Sequence, residues 1–471
     1  MTNATLVRGL GLFAAIAIVV ADVIGTGVFL KARVMTCNVG TPAMVIAVWV
    51  VGGLLSLAGA LTYAELAVLM PRAGGEYVFI REAYGRLWGF LYGWTRFFVA
   101  SSGGLAGLAA GFAIFLNIAS GGTLQRHSID FAIGGGRHVT LFAVPFIAAG
   151  AIVLVTLVNC AAVAVGGRIA SVLATLKVSL VLGVGVGAFM LADGNWANYA
   201  MSAIGGACDG VPAAARGGIA GFGAAMLGAM WAYNGWNEVT YVAGEVKDPS
   251  RNLPLAIIGG IGIIATLYVF ANLAYFYVLA PAAVASVSPE SAVATEVVAR
   301  FLGPLAGGLM AAALAMSVFG SLQVVALVSA RIPYAMADDG LFFSTLGRLS
   351  PRTRVPIRAL WAQAVWSIVL VFSGSYDTIT DYAIFAVLIF VVLATASVFV
   401  FRRRMPGAER AYRTLGYPVV PILFMLVATA IVINTLVTTP DRALAGVGLM
   451  LLGLPFYWYW SRRERATDSS R

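Results

Sequence analysis

The chain is poor in charge. Only 11% of its 471 residues are Asp, Glu, Lys or Arg, and 61% are hydrophobic. A soluble globular domain carries about 25% charged residues. No water-soluble fold hides so much apolar surface, so the sequence describes an integral membrane protein. Chemistry-bearing residues are scarce as well, with two histidines and three cysteines. His127 and His138 share one loop. Cys37, Cys160 and Cys208 form no CxxC, and neither an HExxH nor an acid pair is visible. A metal site and a membrane-embedded enzyme therefore lack their usual groups, and no cofactor is implied. Alternating ten-residue strands are missing, which argues against a β-barrel. No selectivity-filter motif supports a channel, and no soluble domain supports a receptor. No small-residue cleavage site follows the first apolar run, which reads as a retained span and not a signal peptide.

Apolar runs of membrane-spanning length are abundant. A spanning helix takes roughly 20 residues. Twelve runs qualify, at 10–36, 43–70, 86–118, 139–162, 169–192, 217–244, 254–281, 301–337, 357–374, 379–401, 415–437 and 442–461. The expected class is an all-α protein embedded in the lipid bilayer. Basic residues give its orientation. With the N-terminus inside, inner segments hold 21 of the 30 Lys and Arg, and outer loops hold seven, Lys31 and Arg33 among them. Arg96 and Lys177 fall within spans. Both termini are then expected in the cytoplasm of a cell (inner) membrane. The net charge of +10 is mostly this topology. Scattered over short loops, it does not suggest a nucleic-acid partner.

Two of the runs are interrupted. ADVIGTGVFL (21–30) places a carboxylate, Asp22, and two glycines, Gly25 and Gly27, half-way across the first. WAYNGWN (231–237) interrupts the sixth with polar residues, Asn234 and Asn237, and one glycine, Gly235. Four more spans follow each break. This is the pattern of a five-plus-five inverted repeat, with helices 1–5 in residues 8–193 and helices 6–10 in 217–403. Helices 11 and 12, in 415–461, complete a single transport domain. Non-helical backbone at membrane depth survives only where it lines a cavity or is buried in protein. At Gly25–Gly27 the restarting half-helix offers free N–H groups and a positive dipole end, which suit a carboxylate. At Tyr233–Gly235 the ending half-helix offers carbonyls, which suit an ammonium. Together they fit an amino acid. One isolated break could equally serve close helix packing; two in register indicate a site.

These residues resemble the amino acid–polyamine–organocation superfamily, and most closely its L-type amino acid transporter branch and bacterial relatives. The resemblance covers about residues 8–405. It is carried by VIGTGVF in helix one, YAELAVLMPRAGGEYVFIREAYG (63–85), and Asn159-Cys160, Arg168 and Lys177 in helix five. MWAYNGWNEVTYVAGEVKDPSRNLPLAI (230–257) in helix six, and FGSL and SAR in helix eight, complete it. It implies a twelve-helix, alternating-access secondary transporter of amino acids. By analogy, Ile24, Gly25, Thr26 and Gly27 hold the substrate carboxylate, and the carbonyls of Trp231, Ala232 and Asn234 hold the amine. Trp231 aligns with the outer aromatic gate. Lys177 falls where sodium-coupled relatives bind sodium, which implies sodium-independent exchange or proton-coupled uptake. The small or aliphatic walls of stretches such as 100–111 favour neutral amino acids; cationic amino acids or polyamines are the alternative.

Three polar residues stay open. Glu65 reads as half of a gating ion pair with Arg72 or Arg331, and Arg168 as an anchor at a helix end. Asp22 has no explained counterpart in the family. A carboxylate at mid-bilayer costs about 2.5–3.5 kcal/mol on insertion scales, so it should face the interior. It would pair with Lys177, carry a proton, touch the substrate amine, or cap backbone at the break. The sequence also departs from the family in Asn234, which replaces a glycine. The loop at 119–138 lacks the cysteine with which animal relatives bind a glycoprotein, so no disulfide-linked partner of that kind is expected.

Overall fold

A computed structural model describes residues 8–72, 74–126, 128–133, 137–161, 163–289, 291–353, 355–373 and 376–468. His127 and the side chains of His138 and Arg168 lie outside the described residues. The first interrupted run forms two helices, α1 (Leu12–Val23) and α2 (Gly27–Val39), which meet at 41°. After the αL glycine Gly40 (φ +78°), Thr41 caps α3 (Pro42–Leu69). A short α4 (Glu76–Tyr84) leads into α5 (Arg86–Thr95), a π-helical turn at Arg96–Ser101 and α6 (Ser102–Ala119). A helical turn, α7 (Thr123–Arg126), then enters a hairpin of β1 (Ser128–Ile133) and β2 (Arg137–Phe142), antiparallel from Ser128↔Phe142 to Ile133↔Arg137. The second strand takes the first residues of the expected run at 139–162, whose helix begins only at Ala143; the other named elements among the described residues are helical.

The chain continues through α8 (Ala143–Ala161), α9 (Val163–Leu191), α10 (Gly218–Ala232) and α11 (Pro249–Val278). Two short helices, α12 (Pro281–Ala285) and α13 (Val293–Leu302), precede α14 (Pro304–Ser329) and α15 (Arg331–Asp338). Then come α16 (Ile357–Val371), α17 (Tyr376–Arg404), α18 (Val419–Thr438), α19 (Pro440–Leu451) and α20 (Gly453–Asp468). Among the described residues nine helical spans are long and apolar enough to cross a membrane, and the bent α1–α2 pair makes a tenth. The shorter apolar helices α10 and α16 coincide with the expected sixth and ninth runs.

Packing puts α1 at the centre, against α9, α11 and α14. Around this core the bundle exposes large apolar side chains, including Leu54, Met190, Leu426 and Val437. Such a surface would aggregate in water and is matched to lipid. One end carries Gly9, Leu10 and the arginine-rich turns; we call it the basic end. It is closed. The Gly9 and Leu10 N–H groups bond to the Glu245 carbonyl, each at 3.0 Å, and the Lys247 N–H returns to Leu10 O at 2.8 Å. Tyr77 donates to Asp339 at 2.6 Å, and Arg81 pairs with the same carboxylate. Burial, and then the Asp339 charge, push the Tyr77 phenol far above its ordinary value, so it remains a donor. Lys31 and Arg33, expected in an outer loop, instead lie within α2 and are buried. Both positions fall inside the apolar run at 10–36, and α2 continues through them without a break to Val39.

Candidate functional site

The first break is made by three residues. Ile24 N–H closes α1 on Val20 O at 3.0 Å, Gly25 N–H turns back to Val23 O at 2.7 Å, and Thr26 starts α2. The Gly27 and Val28 amides thus belong to a helix start, where N–H groups have no intrahelical acceptor. The second break begins where α10 stops at Ala232. Asn234 N–H bonds to Trp231 O at 3.1 Å, and Gly235 takes φ +113°, a conformation that L side chains rarely adopt. A 3₁₀ segment, Glu238–Glu245, kinked at Val242, follows in place of a second α-helix.

The two breaks touch. A Cβ on Gly27 would lie 2.5 Å from the Ala232 Cβ, so only glycine permits this crossing. The Tyr268 hydroxyl, on α11, stands 2.9 Å from both Val23 O and Ala232 O and ties the two helix ends together. Between them opens a small cavity of about 30 Å³, room for a few water molecules as the breaks now stand. Asp22, Gly25, Thr26 and Gly27 line one wall, and Trp231, Asn234 and Glu238 another. Ala100, Gly104, Leu108 and Val325 make the rest small or aliphatic. Ala100 and Ser101 sit on the π-helical turn, a feature that recurs at functional sites.

The expected residues are placed as follows. Trp231 borders the cavity, with its Nε1–H 3.4 Å from Thr26 Oγ1. Ile24 and Ala232 contribute backbone to the breaks: Ile24 O accepts from Ser321 at 3.2 Å, and Ala232 O from Tyr268. Trp231 O is engaged by Asn234 N–H, although each carbonyl has a second lone pair to offer. Lys177 is fully buried between α1, α9 and α14, and donates to Ala21 O and Ser321 Oγ.

Two pairings differ from expectation. The Lys177 ammonium is bonded to Ala21 and Ser321, and not to the Asp22 carboxylate. The turn of α1 that aims the Ala21 carbonyl at α9 aims the next side chain elsewhere. Asp22 faces the second break, where a Cβ on Gly235 would meet its carboxyl at 2.9 Å, and it lines the same cavity as Glu238. The other correction concerns Glu65, whose partner is neither Arg72 nor Arg331. Arg402 binds it through Nε at 3.0 Å and Nη2 at 2.7 Å, Arg410 approaches to 3.2 Å, and Thr414 donates from both N–H and hydroxyl at 2.8 Å. Arg331 instead stands 3.5 Å from Glu245. The end of α17 and the loop after it pack over the end of α3, which no local pattern announces.

Sequence reasoning passed over three buried charges. Arg96 pairs with Glu238, and its guanidinium lies 5.3 Å from the centre of the Tyr241 ring. Glu76 accepts from Tyr63, from Tyr92 at 2.6 Å, and from Asn237 and Tyr241 at 2.8 Å. The signal was available, because an ionisable residue at membrane depth is a functional candidate by default. Cys37 and Cys208 form a disulfide that joins the end of α2 to the loop before α10. Both had fallen on the outer side of the topology.

A family model described as amino acid permease matches residues 10–455. The serine/threonine exchanger SteT of Bacillus subtilis is 28% identical over 463 residues, which cover 97% of this chain and 98% of that protein. The large neutral amino acids transporter small subunit 2 of Oryctolagus cuniculus is 29% identical over 468 residues, or 97% of this chain and 82% of that one. The b(0,+)-type amino acid transporter 1 of Mus musculus is 26% identical over 460 residues, or 97% and 89%.

Proposed function

The chain belongs to the amino acid permease family, and from that premise we propose that it carries small neutral L-amino acids across the membrane by alternating access, without sodium. The observation that carries this reading is the cavity between the two helix breaks. One wall presents the N–H groups that open α2; the other is the carbonyl end of α10. A zwitterion bound there puts its carboxylate at Gly25–Gly27 and its ammonium at Trp231–Asn234. Its side chain meets Ala100, Gly104, Leu108 and Val325, which suit a short apolar or hydroxylated group. Serine and threonine, the substrates in the name of SteT, are of that size. Trp231 closes the cavity on the side away from the basic end.

In this reading Lys177 occupies the place of a sodium ion, its ammonium cross-linking α1, α9 and α14. Residues 8–193 and 217–403 are the two inverted halves, and the basic end faces the cytoplasm. The chain works without a disulfide-linked glycoprotein. A second reading, a carrier of cationic amino acids, is favoured by the two cavity carboxylates, Asp22 and Glu238. Counterflow in proteoliposomes tests both. Trapped serine or threonine should drive labelled serine inward in sodium-free buffer. Counterflow with lysine but not serine would support the second reading, and a strict sodium requirement would overturn the proposed role of Lys177.

A further inference from the structure

The cavity holds more negative charge than a zwitterion needs. Asp22 and Glu238 both line it, with only 6% and 3% of their surfaces exposed. Asp22 Oδ2 and Glu238 Oε2 are buried without a hydrogen-bond partner; a Cβ on Gly235 would meet the Asp22 carboxyl at 2.9 Å, and the Gly235 carbonyl accepts from the Glu238 N–H. Among the described residues, the charged groups around them are Lys177, Arg96 and Glu76. Lys177 reaches from α9, but its ammonium is engaged by Ala21 O and Ser321 Oγ. Arg96, from the π-helical turn, holds the other oxygen of Glu238. Glu76, from α4, lies nearby and is engaged by Tyr63, Tyr92, Asn237 and Tyr241. Tyr241 stacks under Arg96. The two cavity carboxyl groups thus have one guanidinium bonded directly to them, that of Arg96 on Glu238, and none on Asp22.

We infer that Asp22 and Glu238 share one exchangeable proton, which the carrier moves together with each neutral amino acid. Two carboxyl groups buried in the wall of one small cavity do not both stay ionised; they hold one proton and titrate as a pair. That proton neutralises the excess charge, so a zwitterion can enter a neutral site. Because Arg96 is fixed on Glu238, the proton rests on the Asp22 side of the pair. Lys177 does not line the cavity and bonds within the helix packing, so it is the structural cation and the acid pair is the coupling group. The balance is simple: one proton binds from the side where substrate enters and leaves on the side where it departs. No bond other than O–H is made or broken. The inference rests on the transport reading and adds to it the coupled ion.

The test separates the two claims. Counterflow reports transport alone, whereas accumulation under a pH gradient reports coupling. With one proton per substrate, each unit of pH difference sustains up to about tenfold accumulation of a neutral amino acid. In an unbuffered solution of purified protein with a pH indicator, substrate binding near the titration range of the pair should take up close to one proton per molecule bound. Asp22→Asn and Glu238→Gln are judged by that ratio per bound substrate, whatever their rates; both should lose it. Counterflow without gradient-driven accumulation or proton uptake in the native protein would overturn the inference and leave the transport reading intact. Native coupling that survives in Asp22→Asn would overturn the assignment to this pair. Preferred binding of lysine, with no proton taken up, would show that the substrate itself supplies the missing charge, and would also overturn it. Absence of counterflow for all amino acids would overturn both claims.

Discussion

One added methyl group at Gly27 should cripple the carrier while leaving the chain able to fold. The Cβ of Gly27→Ala would lie 2.5 Å from Ala232 Cβ and closer still to Ala232 Cα. Both sides of this clash are fixed at backbone level, so neither can rotate away, and α2 must move off α10 by roughly 1 Å to restore ordinary contact. Overpacking of this kind costs about 1–3 kcal/mol. The strain exists only while the breaks are in contact, as they are around the closed cavity. At tenfold per 1.4 kcal/mol, the population of that state should fall by roughly 5–150-fold. Apparent affinity for labelled serine, measured by counterflow, should weaken by the same factor. Gly259→Ala is the control: it lies on the exposed face of α11, where an added Cβ meets nothing within 4 Å. Alanine there should be neutral or, by helix propensity, slightly stabilising. If Gly27→Ala transports like the native protein, the two breaks do not close on substrate as argued. If Gly259→Ala is equally damaged, the effect is not steric.

Trp231→Ala should keep the thermal transition of the purified protein but weaken uptake at least several-fold, because the indole no longer covers the cavity; unchanged kinetics would make Trp231 a packing residue. Lys177→Met removes the ammonium from Ala21 O and Ser321 while keeping much of its length. Transport should drop to background, and added sodium should not restore it; rescue by sodium would mean that the site still accepts a metal ion. Cys37→Ser should lower the thermal transition, since a native disulfide typically contributes 2–5 kcal/mol. Reductant should bring the native protein to the same value, and a variant indifferent to its loss would show that the cross-link is not holding α2.

The sequence by itself determined the class of molecule and the place of its two helix breaks. Hydropathy runs, the scarcity of charge, and glycines set among apolar residues are local facts, and membrane depth forces their meaning: backbone broken there must line something. Gly25, Gly27 and Trp231 were legible for that reason, and so was Lys177, a lone ammonium that had to be buried among acceptors. Which charge meets which was decided only by the tertiary structure. Glu65 finds Arg402 across 337 residues of chain, and Cys37 finds Cys208 across 171. Asp22 turns to the second break and not to Lys177 because the crossing of α1 with that break sets its neighbours. The hydrogen bonds that hold Glu76 come from α3, α5 and the second break, elements brought together only by packing. Local spacing tells a chain where to bend; the partner of a buried charge depends on helices meeting from distant parts of the sequence, and no period in the sequence encodes that meeting.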